Sequence, residues 1–207
     1  MTSLKDMRLK AFVKDKTKEA ILSAGRKLVV KNGMEALSAR KLAAASGASV
    51  GMIYNIFGTM ENYVAEQNVI TLTELYNSLN EVVLSKNSFN NLNRYADVLT
   101  SYILTNPNLW YLLYHQNLTT NSQKSSLAEA RLIKKIDVLI GLQAAGLIKG
   151  IGGKEKRLVI KVLEMSLFAV SGYLLGDKLN PKSGVNKNNL CKLLMNTYLA
   201  GLASLGD

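Results

Sequence analysis

The stretch that decides the fold runs from Ala39 to Ile56 and reads ARKLAAASGASVGMIYNI. Two helices that cross at a sharp angle need three things in sequence. These are a small residue where the helices approach, a turn residue that accepts an unusual backbone, and an apolar anchor on the second helix. Ala43, Gly47 and Ile53 meet these demands in that order. The stretch therefore predicts a helix-turn-helix.

Helix start and stop signals around this stretch extend the prediction to three helices. Ser38 and Ser49 precede the two short helices, and serine is a good N-cap. Upstream, an amphipathic segment over residues 16–31 stops at Asn32-Gly33, two residues that tolerate a left-handed backbone. The N-terminal part of the chain is thus predicted to be a three-helix head.

Helical patterns continue from residue 60 to the end of the chain. We predict a long amphipathic helix from 60 to 86 and further helices at 92–105, 108–117, 126–145, 155–178 and 187–205. No stretch alternates apolar and polar residues for long enough to indicate a strand. The predicted class is all-α with about nine helices. It comprises a smaller head over residues 1–60, which contains the helix-turn-helix, and a larger helical body over 61–207.

Positive charge is concentrated in the head. The chain has a net charge of +11, and residues 1–60 hold 11 Lys/Arg against four Asp/Glu. Such a segment suits a polyanion such as DNA, because Lys and Arg neutralise phosphates and release condensed counterions. A basic face that only maintains solubility would have the same composition. Charge alone therefore leaves both interpretations open.

Several classes of protein are disfavoured by what the sequence lacks. The single Cys191 cannot form an internal disulfide, and with the single His115 it cannot build a Cys/His zinc site. The glycines at 150–153 lack the features of a phosphate-binding loop. There is no signal-peptide core and no run of about 18 apolar residues. We therefore expect a cytoplasmic protein that is no enzyme, with no catalytic residue, metal, cofactor or membrane partner.

The wider string from Ile21 to Tyr63 resembles the DNA-binding segment of the TetR family of bacterial transcriptional regulators. It includes Asn32-Gly33 and the Tyr-x-x-Phe element formed by Tyr54 and Phe57. The resemblance implies a ligand-responsive regulator, a repressor by family habit, with a DNA-binding head over residues 1–60 and an effector-binding and dimerisation body over 61–207. Such a regulator binds a palindromic double-stranded operator as a homodimer and releases it when a small effector binds.

The resemblance also implies two groups of DNA contacts. Phosphates would be contacted by Ser38, Arg40, Lys41 and Tyr54, and base edges would be read by Ser49, Val50, Gly51 and Asn55. Asn55 is the one residue there that can make a paired donor-acceptor contact, typically to adenine. Val50 and Met52 could touch only apolar features such as thymine methyls, and Met52 could equally face inward.

Two positions depart from the family pattern. Met60 stands where such proteins usually carry a phosphate-holding lysine, and Ile56 stands where histidine or another polar residue is frequent. Loss of the lysine is expected to weaken non-specific affinity for DNA. The basic arm before the first helix could compensate, because flexible Lys/Arg arms reach the DNA backbone or the minor groove.

The last two predicted helices have more apolar surface than one core can cover. Residues 158–179 are apolar on nearly every side, and a helix of that kind must be covered on two faces. A second copy of the chain is the simplest cover and would give a four-helix dimer interface. Burial within a monomer is the alternative. The predicted interface residues are Leu190, Leu194, Tyr198, Gly201 and Leu202.

Aromatic and soft side chains in the body are candidates for an effector cavity. They are Tyr102, Trp110, Tyr111, Tyr114, His115, Met165 and Phe168. Core packing would explain each of them as well. No Lys or Arg lies between Arg94 and Lys124, which favours an apolar or neutral effector. A ligand against the long helix over 60–86 could pivot the head and so control DNA binding.

One alternative function belongs to a different class. A basic helical chain could be a membrane-surface or protein-interaction module without sequence-specific DNA binding. The ordered helix-turn-helix favours DNA, because a membrane helix has no need for Gly47 or for the polar Ser49 and Asn55 around it. The sequence does not identify the effector, the operator, the regulated genes or the direction of regulation. It also does not show how much Met60, in place of lysine, weakens DNA binding.

Overall fold

The computed structural model describes residues 4–119, 126–148, 152–179 and 187–204. In these ranges the chain forms nine α-helices and a 3-10 turn at Met34–Ala36, without strands, which confirms the all-α prediction. The helices are α1 (Leu4–Asn32), α2 (Ala39–Ser46), α3 (Val50–Phe57), α4 (Met60–Asn80), α5 (Ser88–Thr105), α6 (Pro107–Thr119), α7 (Leu127–Leu147), α8 (Gly153–Leu179) and α9 (Lys187–Ser204).

Helix α1 begins at Leu4, much earlier than the predicted start at residue 16. The basic N-terminal segment is therefore helical from Leu4 onward and not a flexible arm. Residues 12–16 are exposed on this extension, so tertiary packing does not account for the helical conformation there. Local propensity does, because residues 4–15 contain no Gly or Pro and several strong helix formers.

Helix α4 ends at Asn80, whereas the amphipathic pattern predicted a helix to residue 86. The side chain of Asn91 holds the connecting segment in a turn. Its Oδ1 accepts from the Ser85 backbone N–H at 2.8 Å, and its Nδ2 donates to the Ser85 carbonyl at 2.8 Å. Asn87 then caps α5 by accepting from the Asn90 N–H at 3.0 Å. Both asparagines thus favour the turn over a longer α4.

The chain divides into two compact units. The first contains Met1–Thr71 and Asn108–Glu129, and the second contains Leu72–Pro107 and Ala130–Asp207. This division differs from the predicted boundary after residue 60, because α6 packs with α1 in the first unit. Leu109 and Val29 are buried in one cluster, and Asn108 Nδ2 donates to the Val30 carbonyl at 2.8 Å.

Helix α8 belongs to the second unit and is unusually apolar. Its segment Gly153–Gly176 is long and apolar enough, by length and composition alone, to cross a membrane, whereas the sequence pattern predicted no such segment. Core helices of soluble proteins pass the same test. Leu163, Leu167, Val170 and Leu174 are buried on one side of α8 and contribute to the core of the second unit.

Candidate nucleic-acid interface

Side-chain caps and one left-handed glycine form the turn between α2 and α3. Ser38 Oγ accepts from the Lys41 N–H at 3.3 Å, and Ser49 Oγ accepts from the Met52 N–H at 3.1 Å. Between the helices, Gly47 has a φ of 72° and a ψ of 8°, where a side chain would be strained. The predicted caps and the predicted turn residue are confirmed.

A compact apolar cluster sets the direction of α3. It is formed by the buried residues Ile21, Leu22, Leu42, Ala43, Ile53, Phe57 and Tyr63. The rings of Phe57 and Tyr63 meet edge to face, with centroids 5.0 Å apart. Ile56 and Met60 are half-buried against the same cluster. The two departures from the family pattern therefore add apolar packing to the head, and Met60 cannot replace a lysine as a phosphate contact.

The hydroxyl of Tyr63 lies in the interior against Gly25. A Cβ atom at position 25 would overlap that hydroxyl and lie 2.8 Å from Leu42 Cδ1. Gln67 Nε2 donates to Tyr63 Oη at 2.7 Å and to the Leu22 carbonyl at 2.6 Å. Burial raises the pKa of Tyr63 to about 12, although the Gln67 hydrogen bond and the charge of Arg26 act in the opposite direction.

Sequence reasoning missed Gly25 and a row of buried polar residues on α4. Gln67, Asn68 and Thr71 are all buried. The Asn68 amide donates to Gln116 Oε1 on α6, and Arg26 Nη1 on α1 donates to Thr71 Oγ1 at 3.1 Å. A glycine inside a helical pattern was the available signal for a close approach. Polar contacts of this kind help to specify one register of α1, α4 and α6.

The structure brings all eight predicted DNA-contacting residues to exposed positions on α2, α3 and their caps. They are Ser38, Arg40, Lys41, Ser49, Val50, Gly51, Tyr54 and Asn55. Met52 is also exposed, so its side chain faces outward. Arg40 and Lys41 are the only charged residues between Glu35 and Glu61. Cations near the start of one helix and an uncharged face on the next suit phosphate contact and base reading, respectively.

The predicted effector residues are divided between the two units. Trp110 is buried in the first unit, which also contains Tyr111, Tyr114 and His115. Tyr102 belongs to the second unit, where its hydroxyl donates to Glu74 Oε2 at 2.8 Å. Met165 is 63% exposed, which contradicts a place in an internal cavity of the single chain. The side chain of Phe168 lies outside the described part of the chain.

The second unit contains a small apolar cavity of about 30 Å³, and none of the predicted residues whose side chains are described lines it. Its walls include Leu79, Tyr95, Ile140, Leu167 and Met195. Burial raises the pKa of the Tyr95 hydroxyl above its usual value. Within the described ranges, no group of three or more His, Cys, Asp or Glu side chains could hold a metal ion.

The predicted dimer residues fall into three groups. Leu194 and Gly201 are exposed on α9. Tyr198 is half-buried, and its hydroxyl donates to the Val159 carbonyl at 3.3 Å, so it packs on α8 of its own chain. The side chains of Leu190 and Leu202 lie outside the described residues. Helix α8, which was predicted to share the interface without its residues being named, has an exposed apolar stripe formed by Leu158, Val162, Met165, Ala169 and Tyr173.

Comparison with known proteins gives the same family as the sequence pattern. The model for bacterial regulatory proteins of the tetR family matches residues 21–66, which cover the helix-turn-helix and the start of α4. No curated protein matches the chain in sequence.

Solved structures match nearly the whole chain. PfmR, a TetR family transcriptional regulator from Thermus thermophilus, is 17% identical, with 87% of this chain and 97% of that chain covered and a TM-score of 0.63. BioQ from Mycobacterium smegmatis is 14% identical, with coverages of 91% and 98% and a TM-score of 0.68. A structure of BioQ with its double-stranded DNA operator is 13% identical, with coverages of 90% and 98% and a TM-score of 0.66.

Proposed function

Since the chain is a TetR-family transcriptional regulator by its N-terminal domain and its fold, we propose that it is a homodimeric repressor. It binds a palindromic operator in the cytoplasm and releases it when a small apolar or neutral effector binds. The exposed surface of α2 and α3, free of acidic residues, carries the proposal. The likeness to BioQ, which was solved with its operator, supports DNA as the partner.

On this proposal α3 enters the major groove and α2 crosses the DNA backbone. Ser38, Arg40, Lys41 and Tyr54 contact phosphates, and Ser49, Val50, Gly51 and Asn55 face the bases. Phosphate contacts position the protein without reading sequence, whereas base contacts carry the specificity. In a two-fold symmetric dimer the two copies of α3 reach successive major grooves, about 34 Å apart.

Substitution of single contacts tests DNA binding. Arg40→Ala should weaken binding to every sequence and lower the salt slope by about 1, whereas Asn55→Ala should relax preference at one base pair per half-site. Lys86→Ala is the matched control, because it removes an exposed charge from the second unit. Affinity is measured by fluorescence anisotropy at several salt concentrations. Equal affinities for wild type and Arg40→Ala at all of them would contradict the assignment.

The homodimer proposal depends on the apolar stripe of α8 together with Leu193 and Leu194 on α9. These side chains are exposed in the single chain, with Leu193 65% exposed. The stripe lies on the side of α8 opposite to its buried residues, so the core that the described part of the second unit forms does not cover it. A second copy that presents the same two helices would bury both stripes in a symmetric interface.

For the effector we propose the apolar cavity of the second unit, lined in part by Ile140, Leu167 and Met195. At about 30 Å³ it is far below the roughly 300–1,000 Å³ of ligand pockets, so an effector must displace its walls. A ligand that prefers the expanded state, and thereby the state that does not bind DNA, causes release. A hundredfold preference corresponds to about 2.7 kcal/mol of coupling.

Two locations for the effector compete, and mutants distinguish them. Ile140→Ala should alter affinity for apolar compounds if the second-unit cavity binds them. Tyr114→Ala and Trp110→Phe should do so if the first-unit aromatic residues form the site. Since Trp110 is the only tryptophan, ligand titrations can follow its emission in all but the last variant. A saturating ligand that leaves operator affinity unchanged would refute effector release.

A further inference from the structure

The recognition helix α3 presents an uncharged side to its partner. The exposed residues of α3 and its cap are Ser49, Val50, Gly51, Met52, Tyr54 and Asn55. The nearest charged residues in sequence are Arg40 and Lys41 on α2 and Glu61 on α4. Helix α3 itself therefore presents no charged side chain to the bases.

This composition determines which bases α3 can read. In the major groove, guanine is read mainly through O6 and N7 by Arg or Lys, and the cytosine N4 donor is accepted by Asp or Glu. Helix α3 has none of these four residue types. Asn55 is exposed near the middle of the outward side, and an amide pairs with the N6 donor and N7 acceptor of adenine.

Two exposed apolar side chains lie on either side of this outward face. Val50 is 37% exposed and Met52 is 45% exposed. The only apolar group that base pairs present in the major groove is the C5 methyl of thymine. At Gly51, a Cβ atom would meet only Ser49 Oγ, 3.9 Å away, so the backbone between Val50 and Met52 is open to close approach.

We propose that the base pairs under α3 in each operator half-site are A·T-rich. An adenine lies opposite Asn55, and thymine methyls contact Val50 and Met52. This inference rests on the proposed function, because it names the class of DNA that the same surface binds. On this proposal α3 makes no guanine contact, and Arg40 and Lys41 contact only phosphates.

Selection of bound fragments from a random DNA pool, with the full-length protein, tests the base preference. A·T pairs should dominate the centre of each enriched half-site. A motif in which guanines dominate those positions would overturn the inference while leaving DNA binding intact. Failure to enrich any motif would instead overturn the proposed function, so the two failures are distinguishable.

Replacement of thymine by deoxyuridine at selected positions tests the methyl contacts. Uracil lacks the major-groove methyl and leaves the minor-groove edge unchanged, so an A·T preference read in the minor groove would not respond. Each contacted methyl should be worth about fourfold in affinity for wild type, from about 0.8 kcal/mol per buried carbon. In the Val50→Ala and Met52→Ala variants, deoxyuridine should no longer lower affinity at the thymine that the replaced side chain contacts. Equal losses in wild type and both variants would contradict the inference.

Replacement of adenine by 7-deazaadenine tests the role of Asn55. Removal of N7 should weaken wild-type binding roughly tenfold at one position per half-site, and Asn55→Ala should make that position insensitive. Thymine and adenine replacements outside the half-sites serve as controls. Because Asn55 is exposed, Asn55→Ala should retain the helical circular dichroism of wild type. A variant as sensitive as wild type at every adenine would refute the adenine contact.

Discussion

Helices α3 and α8 both expose large side chains in the single chain, but the chemistry of the two exposed sides differs. The exposed side of α3 mixes Ser49, Tyr54 and Asn55 with two apolar residues. The exposed stripe of α8 is formed by four aliphatic or thioether side chains, among them Leu158 and Met165, followed by Tyr173. A mixed face suits the hydrated groove of DNA, whereas a continuous apolar stripe indicates an interface with protein. The kind of exposed surface therefore distinguishes the kinds of partner.

The inner sides of the two helices are alike. Ile53 and Phe57 bury α3 in the head, and Leu163 and Leu167 bury α8 in the second unit. Each helix is thus held by its own core, independently of what its outer side binds. Substitutions of the exposed residues of α3 and α8 should change binding without unfolding the chain. Substitutions of the buried residues of these helices should change the free energy of unfolding.

The largest effect is expected from a charge in the α8 stripe. Met165→Asp would place an unpaired carboxylate in the dimer interface, at a cost of at least about 3 kcal/mol, or roughly a hundredfold in the dimer dissociation constant. Val83→Asp is the matched control, because Val83 is an apolar residue of the second unit that is 81% exposed. Sedimentation velocity measures the oligomeric state, and circular dichroism checks folding.

Two results would contradict the assignment of the α8 stripe to a dimer interface. A wild-type chain that stays monomeric at high concentration would show that the stripe needs no second copy. A Met165→Asp variant that dimerises like wild type would place the interface elsewhere.

The next effect concerns the interior beneath α3. Gly25→Ala should destabilise the chain by about 3 kcal/mol, because the added methyl overlaps the Tyr63 hydroxyl in a tightly packed core. Gly51→Ala should act in the opposite direction, by about 0.5–1 kcal/mol, because it relieves glycine's entropy cost in a helix with open space beside it. Urea denaturation measures both changes. Destabilisation of the same size by both alanines would contradict this account.

A smaller effect follows from the pKa of Tyr63, which burial raises from 10.0 to about 12. The folded state therefore holds the phenolic proton more tightly than the unfolded state does. Its contribution to stability is present below pH 10 and is lost as pH rises towards 12, by about 2 kcal/mol. Urea denaturation at pH 9 and pH 11.5 measures the loss.

Two conservative substitutions make this pH effect specific. Tyr63→Phe should reduce the alkaline loss of stability, because phenylalanine cannot ionise. Tyr54→Phe should leave it unchanged, since Tyr54 is exposed on α3. An alkaline loss of the same size in all three proteins would show that other groups cause it.

The correct and incorrect sequence predictions differ in the physical signals on which they relied. The caps Ser38 and Ser49 act within three residues, and Gly47 acts through its own backbone, so local sequence predicted the helix-turn-helix correctly. Helix α1 was predicted too short because its start was placed where the amphipathic pattern begins, at residue 16. The helix propensity of the preceding residues is enough to start it at Leu4. Helix α4 was predicted too long because the side-chain contacts of Asn91 on the following helix were not foreseen.

The sequence by itself thus determined the helical class, the helix-turn-helix and its uncharged recognition face, all of which depend on residue type and short-range spacing. Only the tertiary structure decided that Met165 is exposed, because a helix that is apolar all round does not reveal which side its own core covers. It also decided that Gly25 receives the Tyr63 hydroxyl and that Gln67 bonds the Leu22 carbonyl. These contacts join residues far apart in the chain, and their geometry exists only once α1 and α4 have packed.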